Sequence, residues 1–263
     1  MADLMTATHE AAHGADHGAV QGAMAAPYAG AGSPYRWGMS VDLDRCTGCG
    51  ACVVACHAEN NLPIAGPIDT DEGRSVDWMR VERYWEGHYP EVTAHFVPVM
   101  CQHCTNAPCE PVCPVFATYH TPEGLNGMVY NRCIGTQYCQ NNDPYNVRFF
   151  NWFEAALNFV EPLANQLNPD VTVRSRGVME KCTFCVHRIR EAAADAKAEE
   201  RLLEDGEITT ACAQSCSANV ITFGNLLDPH SKVSTAIASA RRFRLLEALG
   251  TEPVVYYLKG GQA

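Results

Sequence analysis

Cys46-Thr47-Gly48-Cys49-Gly50-Ala51-Cys52-Val53-Val54-Ala55-Cys56 is the stretch whose spacing decides how the rest of the chain reads. Three cysteines separated by two residues each are followed, after three more, by a fourth. That order of gaps holds iron–sulfur cubes in proteins that carry two of them. The reason is geometric. Three thiolates on a tight, Gly-containing loop reach three corners of one cube. The fourth, carried onto the helix that follows, points away and ligates a different cube. Such a run needs a partner elsewhere in the chain.

Partners are present, and there are four runs in all. The second is Cys101, Cys104, Cys109 and Cys113, with its second gap widened to four residues and Pro114 behind the last cysteine. The third has Cys133 and Cys139, but Thr136 occupies its second slot and Asp143 its fourth, just before Pro144. The fourth is Cys182 and Cys185, then Cys212 and Cys216, with a helix-length insertion in the second gap. Internal repetition is therefore the main architectural fact, and four runs fold as two dicluster units. Chain order suggests that the first run pairs with the fourth and encloses a central unit made of the second and third.

Composition agrees with this reading. The 263 residues suffice for a sizeable core. A net charge of −11 argues against nucleic acid as a partner. All fourteen cysteines fall in cluster-like spacings, so none is left over for a disulfide framework. No apolar run approaches the length of a membrane span, and no export signal is visible. Taken alone, the chain reads as soluble.

Residues 1–34 hold no Lys or Arg and are expected to be a disordered or partner-bound tail, and the histidine repeat His9, His13, His17 is read as part of it. Residues 35–258 form the globular four-cluster domain: an outer unit from about 35–75 and 178–240, a central unit from about 76–150, and a connector over 151–177. Residues 259–263 are a short tail. Alternation predicts strands at Met39–Leu43, Val76–Trp85, Val92–Met100, Gly127–Asn131 and Val254–Leu258. Helices are expected at Cys52–Asn60 and Arg188–Glu204, with a short amphipathic one after Arg241. Residues 61–75 read as loop, and Phe149, Phe150, Trp152 and Phe153 as an aromatic knot in the core. The fold class is α+β: two interleaved dicluster ferredoxin-like units with inserted helices and loops.

Over residues 35–258 the chain resembles the four-cluster electron-transfer subunits of the complex iron–sulfur molybdoenzyme (DMSO reductase) superfamily. It is most similar to the polysulfide reductase and alternative complex III branch. Cys101–Pro114, Gly124–Tyr145, Asn168–Ile189 and Arg241–Leu258 carry the likeness. The resemblance implies four ligand sets. Cluster one takes Cys46, Cys49, Cys52 and Cys216; cluster two takes Cys56, Cys182, Cys185 and Cys212. Cluster three takes Cys101, Cys104, Cys109 and whatever stands at 143; cluster four takes Cys113, Cys133 and Cys139, with Thr136 in place of a thiolate. It further implies a wire running from a molybdopterin-type or related peripheral subunit, or cytochrome c subunits, to an integral quinone-reactive membrane subunit of the NrfD type. Location on the periplasmic face of a bacterial inner membrane is implied too, with the cytoplasmic face left open.

Threonine is a poor iron ligand because its hydroxyl stays protonated, so cluster four is expected to be [3Fe–4S]. Asp143 departs from the family pattern, and three roles are open to it: ligand of a [4Fe–4S] cluster, bystander to a second [3Fe–4S] cluster, or cap of the turn before Pro144. The chain thus carries two or three [4Fe–4S] clusters and one or two [3Fe–4S] clusters. His57, after the last cysteine of its run, is weighed as a hydrogen-bond donor to a cluster or as part of a looser turn. Arg174 and Arg176 read as solvated or facing a partner. No nucleophile, phosphate loop or substrate motif stands out, so the chain is read as a non-catalytic subunit. A diffusing polyferredoxin is the alternative from another class. A structural zinc protein fits less well, since zinc needs two separated pairs and does not explain a third cysteine two residues on or Pro after the fourth.

Overall fold

The computed structural model describes residues 32–154 and 161–260. Most of the N-terminal tail with its three histidines, residues 155–160 of the connector and residues 261–263 lie outside the described residues.

The first strand forms as β1 (Trp37–Asp42) and gives way to a 3-10 turn at Leu43–Arg45. Asp42 ends it by accepting a hydrogen bond from the Asp44 amide at 3.3 Å. Helix α1 (Ala51–Glu59) follows the first cysteine loop. The expected loop at 61–75 contains one short helix, α2 (Pro67–Asp71), because Pro67 stands at its first turn, where no amide is needed. Strands β2 (Met79–His88) and β3 (Glu91–Met100) pair as one antiparallel hairpin, longer toward its tip than the alternation alone suggested.

A small ladder of β4 (Thr118–His120) and β5 (Asn126–Met128) comes next. The strand expected at Gly127–Asn131 is cut short because Tyr130–Arg132 winds into a 3-10 turn just before Cys133, as Leu43–Arg45 does before Cys46. Helix α3 (Tyr138–Asn141) completes the third run, and β6 (Phe149–Phe150) pairs with β7 (Met179–Glu180) beside it.

Helix α4 (Val186–Ala198) stops six residues before the expected Glu204. Glu200 adopts φ 54°, and the Arg201 amide bonds back to Ala196 O at 3.0 Å while the Glu200 amide bonds to Lys197 O at 3.2 Å. This paired closure ends a helix whatever its composition promises. Helix α5 (Ala211–Gln214), strand β8 (Ile221–Asn225) and helix α6 (Lys232–Ile237) follow. The amphipathic helix expected after Arg241 does not form. That segment makes β9 (Arg242–Phe243) and a 3-10 turn at Glu247–Leu249, bracketed by left-handed Leu246 and Gly250. The chain closes on β10 (Val255–Leu258).

The largest sheet has the order β8-β1-β10-β9. Met39 stands opposite Phe223 on an antiparallel neighbour and opposite Val255 on a parallel one. Met39, Val41, Val255 and Tyr257 are fully buried, so this sheet floors the main core, in which Cys52, Cys56, Cys182 and Cys212 also lie. Helices α1 and α5 pack on each other, bringing the first and last runs side by side.

Candidate iron–sulfur centres

A shared backbone device shapes every cysteine loop. The residue two places after the first cysteine is left-handed in all four runs: Gly48 (φ 68°), His103 (φ 43°), Gly135 (φ 70°) and Phe184 (φ 55°). Such a residue reverses the chain so that successive amides and side chains turn toward one point. The first and third runs repeat more closely still. Gly50 and Gln137 are both left-handed N-caps of the following helix, so Thr136 occupies the backbone position of Cys49. In the second and fourth runs the residues at that place are His103 and Phe184, whose rings stack at 4.0 Å in the interior.

Among the described residues no three His, Cys, Asp or Glu side chains stand close enough to hold a single metal ion, and the thiols act on one another in four sets. Burial pushes Cys46 up, and the Cys216 and Cys49 thiols add to it; Cys52 is pushed to about 11 by burial and by Cys216 and Cys46. Burial and the Cys182, Cys212 and Cys185 thiols raise Cys56 well above its ordinary value. Those four cysteines also line one internal cavity, with Asn60 and Thr210. Burial and the Cys101 thiol lift Cys104 to about 12, and Cys109 rises to about 11 through burial, Cys101 and Asp143 against the pull of Arg148 and Lys181. Burial raises Cys139, and the Cys133 and Cys113 thiols oppose its ionisation too, while Arg148 pulls it down.

Amide donors reach many of these sulfurs. Sγ of Cys113 accepts from Ala117 N at 3.2 Å, and Sγ of Cys216 from Val220 N at 3.3 Å, in each case four residues on. Cys133 accepts from Met179 N at 3.3 Å and Cys185 from Ala211 N at 3.5 Å. At Cys113, burial is outweighed by the amides of Ala117, Val115 and Thr118, which leave its thiol below the ordinary value. None of the fourteen cysteines is in a disulfide. Buried thiols that act on one another, with amides aimed at sulfur, are the donor chemistry an iron–sulfur cluster uses.

Asp143 repeats the fourth-cysteine geometry with oxygen. Its Oδ2 accepts from Val147 N, four residues on, at 2.7 Å, and its Oδ1 from Tyr145 N at 3.2 Å. Asn146, three residues on, is left-handed, as Phe116 is after Cys113 and Asn219 after Cys216. Burial raises the carboxyl, while the Val147 and Tyr145 amides, Arg148 and Lys181 act to keep it ionised.

Two expectations need correcting. Arg174 is neither solvated nor directed at a partner. It is buried, pairs with Glu180 at 2.8 Å, donates to Asn60 O at 2.7 Å and lies over the Trp78 ring. Arg176 is exposed. His57 bonds Asp77 at 2.9 Å, and this hydrogen bond holds the Asp77 carboxyl below its usual range. Of the aromatic knot, Phe149 and Phe153 pack on the main core and Phe150 on Cys109, Cys139 and Met179, whereas Trp152 stays exposed. Sequence reasoning passed over Arg148, Lys181 and Asn126, all buried among the second and third runs. Only the unusual sight of Lys181 directly before a cysteine could have flagged one of them.

Two family models, each describing a 4Fe-4S dicluster domain, match residues 45–117 and 92–158. The chain is 44% identical over 228 residues to the menaquinone reductase iron–sulfur cluster-binding subunit of Nitratidesulfovibrio vulgaris, covering 85% of this chain and 88% of that one. It is 36% identical over 248 residues to iron–sulfur subunit 1 of an Hdr-like menaquinol oxidoreductase of Archaeoglobus fulgidus, covering 86% and 84%. Identity to the iron–sulfur subunit of the arsenate respiratory reductase of a Shewanella species is 32% over 250 residues, covering 85% and 96%.

Proposed function

The chain belongs to the iron–sulfur electron-transfer subunits of the complex iron–sulfur molybdoenzymes, and from that premise we propose that it relays single electrons through four clusters between a quinone-reactive membrane subunit of the NrfD type and a peripheral redox subunit, as in alternative complex III. It is a non-catalytic member of its complex. Its partners are that membrane subunit and a molybdopterin-type or related subunit, with cytochrome c subunits where the electron leaves to a soluble carrier. We place it as a peripheral subunit on the periplasmic face. No helix among the described residues is long and apolar enough to cross a membrane.

The observation that supports this reading is that the thiol groups act on one another in series. Cys52 of the first group acts on Cys212 of the second. Cys101 of the third acts on Cys182 of the second, and Arg148 faces Cys109 of the third and Cys139 of the fourth. The ligand sets are then Cys46, Cys49, Cys52, Cys216; Cys56, Cys182, Cys185, Cys212; Cys101, Cys104, Cys109, Asp143; and Cys113, Cys133, Cys139. The first and fourth runs form the outer unit and the second and third the inner one, interleaved along the chain. When bound, clusters supply one-electron carriers whose potentials follow ligand type, hydrogen bonds to sulfur and burial. The chain's own residues hold them, exclude water and aim amides at sulfur. Phe116, Ile134 and Tyr138, each within three residues of a cysteine of the last set, are exposed and give that end an apolar skin suited to the membrane subunit.

We assign Asp143 as the fourth ligand of its set, because the amide that holds it is the one that holds Cys113 and Cys216 in theirs. Thr136 ligates nothing. EPR with iron analysis on the purified complex tests both points: about 15 irons belong to this subunit if Asp143 ligates, and about 14 if it only caps its turn. Asp143→Ala should lower the count by about one. An unchanged count removes Asp143 from the ligands, and a colourless subunit removes the whole reading.

A further inference from the structure

Arg148 is 1% exposed and among the largest fully buried side chains. Its Nη2 donates to Asn126 Oδ1 at 2.7 Å, while Nη1 is buried with no hydrogen-bond partner. No carboxylate forms an ion pair with it among the described residues, although a lone buried guanidinium costs several kcal/mol. What surrounds it is sulfur. The Cys109, Cys139 and Cys101 thiols and the Asp143 carboxylate act on it, and Cys139 takes a side-chain hydrogen bond from it. Asn126, which steadies the guanidinium, also points Nδ2 at Cys109 Sγ, 4.0 Å away. Lys181, another buried cation, donates to Cys182 O at 2.9 Å and acts on Cys109 and Asp143. Arg148 acts on Cys109 and Asp143 of one ligand set and on Cys139 of the next.

We propose that Arg148 is a shared counter-charge that raises, together, the reduction potentials of the cluster held by Cys101, Cys104, Cys109 and Asp143 and of the cluster held by Cys113, Cys133 and Cys139. It rests on the ligand sets assigned above. Each cluster gains one electron on reduction and so one negative charge. A fixed cation in a poorly polarisable interior favours that form. Arg148 keeps its proton throughout, and no bond forms or breaks.

The test is an EPR-monitored redox titration of the intact complex with dithionite as reductant. In Arg148→Gln, reduction of both clusters should become about tenfold less favourable, or 59 mV for a one-electron couple. Arg148→Lys, which keeps the charge, should leave both within about threefold of wild type. Lys181→Met should move the first of the two, on whose Cys109 and Asp143 Lys181 acts. Full iron content with neither potential moved, or only one moved, in Arg148→Gln overturns the proposal. Should Arg148→Gln lose iron, Asn126→Asp sets a carboxylate against the guanidinium, and unshifted potentials there overturn it equally. Failure of the ligand assignment would look different, as missing iron or missing signals in the wild-type complex.

Discussion

At the scale of single residues, the cysteine loops depend on what they lack as much as on their thiols. Gly48 is left-handed, and a Cβ there would stand 2.4 Å from the Phe96 ring. Gly50 is left-handed as well but faces open space. Gly48→Ala should therefore cost about 2–4 kcal/mol, from backbone strain and overpacking together, and weaken iron retention in the first set. Gly50→Ala should cost only about 1 kcal/mol. Anaerobic denaturant unfolding of the two variants separates these contributions. Thr136 lies on the same backbone turn as Cys49, so Thr136→Cys presents a thiol where one is missing. The expected result is about one more iron per subunit and loss of the three-iron EPR signal. These positions were legible because spacing alone exposes them. Asp143 was half legible: its slot could be counted, but the amide that holds it comes from Val147, and only the folded turn shows that.

Among the elements, two ionic clamps hold the helices and short strands that carry the cysteines. Glu59 ends α1 and accepts from Arg188 Nε at 2.5 Å, from Arg188 Nη2 at 2.8 Å and from His187 at 2.7 Å, all at the start of α4. The Arg188 hydrogen bonds, joined by His187, hold its carboxyl below the ordinary glutamate value despite partial burial. A depressed folded-state pKa means that the clamp contributes fully above the unfolded value and is lost as pH falls through the folded one. Glu59→Gln should thus cost about 2 kcal/mol at neutral pH, and the gap to wild type should close below about pH 4. Thermal melts of the loaded protein across that range check the sign. The second clamp is Glu180 on β7, fully buried, bonded to Arg174, Asn151 and Trp78. Glu180→Gln strands the Arg174 charge and should cost about 3–5 kcal/mol, read from the same melts. Strands with clean alternation and α1 behind its cysteines were readable beforehand. The end of α4 was not, since an alanine-rich, charged run promises helix beyond the point where Glu200 turns left-handed. Nor was the absence of a helix after Arg241, where tertiary pairing of β9 with β10 overrides local propensity.

Across the whole molecule, the ends of the domain are tied together by one sheet, and this was the least legible feature. Periodicity marks a strand but not its neighbour, and β1 meets β10 more than two hundred residues away along the chain. What binds β10 to the ligand loops is specific. Tyr257, fully buried, donates its hydroxyl to Pro98 O at 2.9 Å and receives Gln102 Nε2 at 3.3 Å, while the Val254 amide donates to Gln102 O at 3.0 Å. Gln102 stands between Cys101 and His103, so the last strand props up the second cysteine run from beneath. Tyr257→Phe removes the hydroxyl and leaves the Pro98 carbonyl without that donor, a loss of about 1–3 kcal/mol. Removing residues 254–263 strips the parallel partner from β1 and the support from Gln102 at once. Because β1 leads into Cys46 and Gln102 follows Cys101, the truncated chain should lose iron from both dicluster units rather than from one. Iron content and EPR spin count of the truncated subunit, compared with Tyr257→Phe, measure this directly. Loss confined to the second-run clusters would mean that β10 serves that loop alone and that β1 holds its place through β8.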